Sequence, residues 1–227
     1  MIGSDLMDTS NNIDDKYKLL QHLTTCFICD IAKCNLTQYF NISISSNIVD
    51  DCIKYDKTIK ADQVMDCVGL TLLPCNPEDK IQILISENSC DPQIILHELT
   101  HMYDFVLFSE NFCNGKLHEI KQHKYYQTLV YWSEFHAKLI DIPYSYLLLD
   151  IIHNVPEDKY FSYLSNQIQT YLYRYCTKKF IDKQNAAMKD IMWYLGELAV
   201  CNLYDKDNTY NIPENIICVH GQWILQL

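Results

Sequence analysis

No apolar run of about eighteen residues occurs anywhere in the 227-residue chain, so no membrane-spanning helix is expected. Basic clusters are missing too: 18 Lys and Arg stand against 29 Asp and Glu, a formal net charge of −11. A nucleic-acid backbone is therefore not an expected partner, and the acidity serves solubility. The first residues, Met1-Ile2-Gly3-Ser4-Asp5, lack a basic stretch with an apolar core behind it, so no secretory leader is expected. The 11 cysteines are odd in number and scattered without framework spacing. That argues against a secreted disulfide scaffold and for reduced thiols in the cytoplasm. Internal repeats and low-complexity tracts are also lacking.

Hydrophobic residues make up 48% of the chain, enough to fill a substantial core. A single domain is expected over 13–227, behind a polar stretch at 1–12 that is disordered or tag-like. Apolar spacing predicts a helix from about 14 to 34, whose Cys26-x-x-Cys29 reads as small residues on a helix face rather than a metal or redox pair. Alternation predicts a strand at 40–45, and further strands follow at 68–73 and 80–86, with a short helix near 48–55. The last two strands suggest a hairpin, which sets 81–86 directly before the central helix. Beyond 111 the pattern is helical, over about 122–141, 144–153, 157–180 and 184–203, broken at Pro143 and Pro156. The expected fold class is α+β: a small, mainly antiparallel sheet and one central helix within 13–110, then a helical lobe over 111–227.

The central helix contains Ile94-Ile95-Leu96-His97-Glu98-Leu99-Thr100-His101. Asp91 suits the cap and Pro92 the first helical position, and Ile94, Ile95, Leu99, Met102, Phe105 and Val106 recur at helical spacing. His97 and His101, four residues apart, stack on one face and can hold one metal ion between them. Glu98, one step round, falls beside such an ion, where its carboxylate can take a proton from an activated water.

His-Glu-x-x-His at His97, Glu98 and His101 resembles the defining motif of the zincin metallopeptidases. The resemblance implies a catalytic zinc, one per chain, a third protein ligand downstream, and hydrolysis of peptide bonds in a protein or peptide. The metzincin extension is absent, since Asp104 and Leu107 occupy its places. Glu134, 33 residues after His101 on a strongly helical stretch, is the favoured third ligand, deliverable by a helix antiparallel to the first. His136 and His123 are its main competitors, with Glu110, His118 and Glu119 as the other candidates. Two helical steps turn a side chain by about 200°, so Glu134 and His136 do not face the metal together. Ser133-Glu134-Phe135-His136-Ala137 also resembles the gluzincin arrangement, in which Glu completes the site and a small residue lets helices pack closely. In order and position 81–86 resembles the edge strand that borders the cleft in zincins, which implies an edge place for it here. More loosely, the chain resembles the ImmA/IrrE group, which cleaves repressor proteins.

Asp104, on the side of His101, can orient that ring or stay solvated. For a donor to the oxyanion, Tyr131 is named first, with Lys138, Tyr103, Tyr126 and Tyr144 behind it. Two rival readings stand beside the peptidase: a catalytically silent binding or toxin-like module on the same fold, and a helical structural protein with a chance motif.

Overall fold

The computed structural model describes residues 13–153 and 184–204, with side chains from 13 to 145 and from 188 to 203. In chain order the elements are α1 (Ile13–Cys26), continued by a π-helical turn at Phe27–Ala32, then β1 (Phe40–Ser45), α2 (Ile48–Tyr55) and α3 (Ala61–Val64). Next come β2 (Gly69–Leu72), β3 (Ile81–Ser86), α4 (Pro92–Phe112), α5 (Tyr126–His153) and α6 (Gln184–Tyr204). The fold is α+β, as expected. The helix expected at 157–180 lies outside the described residues.

The sheet order is β1-β3-β2, with β1 parallel and β2 antiparallel to β3. The β2–β3 pairing bears out the antiparallel hairpin, but the sheet is mixed, because α2 and α3 carry the chain across between β1 and the hairpin. The expectation that 81–86 is an edge is overturned: β3 is the middle strand. Ile81, Ile83 and Ile85 point into the main core with α4, while Leu84 enters a second cluster with Leu72, Ile48, Cys52 and Val64. A strand covered on both faces needs apolar residues at both parities, which Ile-Gln-Ile-Leu-Ile supplies.

Asp91 starts α4 by accepting from the Ile94 amide, with Pro92 in the first turn. The helix runs to Phe112 and ends where Asn114 (φ 51°) and Gly115 (φ 76°) turn left-handed. It therefore crosses the expected division at 110, and its buried face binds both halves together. α5 continues through Pro143, where a break was expected. Ile142 and Asp141 beside it are fully buried, so the packing they make outweighs the single ladder bond that the proline removes. Among the described residues no helix is long and apolar enough to cross a membrane.

α6 packs on α5 through Ile191, Met192, Leu195 and Leu198 against Ile142 and Tyr131. Gly196 permits the closeness: a Cβ there would lie 2.5 Å from Lys138 Cβ and 2.8 Å from the Phe135 carbonyl oxygen.

Candidate metal centre

The buried face of α4 carries His97, His101 and Asp104 at helical spacing, and α5 faces it with Ser133, Glu134 and Asp141. The contacts run in opposite senses along the two helices, 97 to 141 and 101 to 133, so α5 lies antiparallel to α4 as expected. Ala137 between them is fully buried.

Each imidazole is oriented through its Nδ1. His97 Nδ1 lies 2.8 Å from Asp141 Oδ2 and donates to it, since an ionised carboxylate only accepts. Ser133 Oγ spends its proton on Asp104 Oδ2 at 2.7 Å, so His101 Nδ1, 2.7 Å from Ser133 Oγ, is the donor to the serine. Asp104 thus orients His101 through a serine. Both Nε2 lone pairs then face one point, with the nitrogens 3.1 Å apart.

Glu134 reaches the same point. Its Oε2 is 3.4 Å from His97 Nε2 and 3.7 Å from His101 Nε2. A tetrahedral ion with bonds of about 2.0–2.1 Å has its ligand atoms about 3.3–3.4 Å apart, and the sides of this triangle, 3.1, 3.4 and 3.7 Å, centre on that separation. The three donors therefore fit a divalent cation such as zinc. Three electron-rich atoms at these separations repel one another unless a cation, metal or proton, lies between them.

Without a metal the proton takes that place. Burial disfavours charge on His97, but hydrogen bonds to Asp141 and Glu134 prevail and push its pKa up to about 9. Burial holds His101 neutral, down to about 3. Glu134 is held well below the usual carboxylate range against its burial, chiefly by Lys189 and then His101.

Glu98 lies on the sheet side of α4. An oxygen of its carboxyl is within 4.8 Å of the histidine donor atoms, and Oε2 accepts from Thr71 Oγ1 at 2.8 Å. Gly69 on β2 clears the space, since a Cβ there would come 2.9 Å from Glu98 Cγ and 2.7 Å from Ile94 Cγ2. Burial raises the Glu98 pKa, moderated by His97 and the Thr71 bond, which makes the carboxylate a stronger base.

The remaining expectations sort by contact. His136 Nδ1 pairs with Asp104 Oδ1 at 2.8 Å, off the donor triangle. His123 sits among Phe108, Phe112 and Tyr125. Tyr131, named as oxyanion donor, is packed in the apolar α5–α6 cluster, and Tyr103, Tyr126 and Tyr144 pack against the main core. Lys138 is buried, 3.4 Å from Asp141 Oδ2.

Sequence reasoning missed Asp141, Thr71, Gly69, Lys189 and Trp193. Only Asp141 left a signal, lying two turns beyond Glu134 on the same helix face. Lys189 Nζ is 2.7 Å from Glu134 Oε1, and Trp193 Nε1 donates to Oε2. Among the described residues, Lys138 and Lys189 face four formal negatives at the site (Glu98, Asp104, Glu134, Asp141), and the proton on His97, or a divalent ion in its place, offsets the remaining negative charge. No protein-family model, curated protein or solved structure matches the chain.

Proposed function

We propose that the protein is a zinc-dependent peptidase of gluzincin type, cleaving peptide bonds in a protein or peptide substrate. The observation that carries this reading is the donor triangle of His97 Nε2, His101 Nε2 and Glu134 Oε2, with sides of 3.1, 3.4 and 3.7 Å. His97, His101 and Glu134 would hold the ion. When bound, zinc supplies Lewis acidity that acidifies water and polarises a carbonyl.

The chain's own groups do the rest. Glu98, fixed by Thr71 and kept basic by burial, accepts the proton of the attacking water and returns it to the leaving nitrogen. Asp141 and Ser133 keep the two rings turned so that their free nitrogens face the centre. A cytoplasmic setting fits the nine described cysteines, all of which are free thiols.

One observation favours a rival, a metal-holding module without turnover: only 11% of each histidine side chain is exposed. A single experiment separates the two. Purified protein is expected to carry about one zinc per chain, and Glu98→Gln to retain it while losing cleavage of an unfolded-protein mixture read by mass spectrometry. Wild-type cleavage by that variant refutes the peptidase, and a zinc-free wild type refutes the metal centre.

A further inference from the structure

We propose that α6 clamps the third donor onto the histidine pair, with Lys189 and Trp193 as positioning residues for Glu134, so that metal uptake depends on α6 being docked. This rests on the metal reading above.

A glutamate on a helix has three side-chain torsions to settle, and among the described residues nothing on α4 or α5 donates a hydrogen bond to Glu134 apart from the histidine whose lone pair the metal needs. α6 settles them. Lys189 Nζ takes Oε1 at 2.7 Å, and the Trp193 indole N–H takes Oε2, the oxygen that faces His97 and His101. One donor on each oxygen fixes the plane of the carboxylate. Oε1 is thereby turned away, and Oε2 keeps a lone pair for the centre, so Glu134 serves as a one-oxygen ligand.

Trp193 is itself confined. Its ring stands edge-on to His97 at 6.1 Å, with Lys189 Nζ 4.8 Å and Lys138 Nζ 5.4 Å from its ring centroid. The closeness that brings α6 within reach comes from Gly196, where any side chain would meet Lys138 and the Phe135 carbonyl. Two effects of Lys189 oppose each other. Its charge repels an incoming divalent cation, yet its side chain is 46% exposed and water screens that repulsion. The hydrogen bond to a carboxylate that is 6% exposed is not screened in this way, so orientation prevails.

The test measures zinc affinity of the full chain by competition with a chromophoric chelator, with circular dichroism to confirm folding. Lys189→Met and Trp193→Phe are each expected to weaken zinc binding about 10- to 100-fold, and Lys189→Arg to recover most of the loss. Wild-type affinity in both Lys189→Met and Trp193→Phe overturns the clamp, as does an equal loss in Lys189→Arg and Lys189→Met. Should Lys189→Met fail to fold, Trp193→Phe, which keeps the ion pair, decides by the same criterion. A wild type that binds no zinc overturns the metal reading itself, a result distinct from a zinc-binding wild type matched by its variants.

Discussion

His97 Nδ1 lies 2.8 Å from Asp141 Oδ2, a buried hydrogen bond that ties α4 to α5 across 44 positions of the chain. Asp141 also receives Gln93 Nε2 at 3.3 Å on its other oxygen, so the carboxylate cannot rotate away. The bond fixes both the tautomer and the plane of His97. Asp141→Asn is expected to weaken zinc binding about 10- to 100-fold with helix content unchanged. Chelator competition checks it, and unchanged affinity would remove Asp141 from the site.

Zinc binding should release a proton. The His97 pKa is raised to about 9, so at neutral pH the ring carries the proton that the metal must displace. Affinity is therefore expected to fall about tenfold for each unit of pH lost below that value. Calorimetry in buffers of different ionisation enthalpy should report about one proton released per zinc. No release would mean that His97 is neutral before the metal arrives.

Gly69 gives the Glu98 side chain its room. Gly69→Val would drive a side chain into Glu98 and Ile94, where a Cβ alone already comes within 2.9 and 2.7 Å. The expected outcome is full zinc content, lost cleavage and destabilisation of about 1–3 kcal/mol. Metal analysis beside chemical denaturation reads the two effects separately; an active variant would show that Glu98 does not need its present position.

Glu197 is a buried carboxyl on α6, pushed up to about 8 by burial against the pull of Lys138. Its Oε2 has no hydrogen-bond partner among the described residues. Because the folded pKa lies above the unfolded value of about 4.3, the group costs nothing at low pH and destabilises increasingly as pH rises toward 8. Glu197→Gln should therefore add about 1–3 kcal/mol near pH 8 and little near pH 5. Denaturant melts at both pH values check it, and a loss at the higher pH would contradict it.

The parts of the fold that were legible in the residues are those with a local cause. Phe40–Ser45 alternates, Ile48–Tyr55 is amphipathic, and Asp91-Pro92 starts a helix whatever surrounds it. β3 is central rather than an edge, and its own pattern carries the reason: Ile83, Leu84 and Ile85 are apolar on both faces, which asks for cover on two sides. Pro143 reads as a break because the rule for proline is local, whereas the burial of Ile142 that outweighs it is not. The spacing of Tyr131 from Glu134 points it toward the centre, but one turn along a helix also swings a side chain toward the next helix, and α6 provides the apolar face that takes it.

What the chain determined by itself was the stacking of His97 on His101 and the single face of α5 that can bring Glu134 opposite them, because helical periodicity is a property of one segment. Only the tertiary structure decided where the ring nitrogens point, through Asp141 and Ser133, and which carboxylate oxygen turns inward, through Lys189 and Trp193. Those contacts cross from one helix to another, and no spacing within either helix encodes what the other will present.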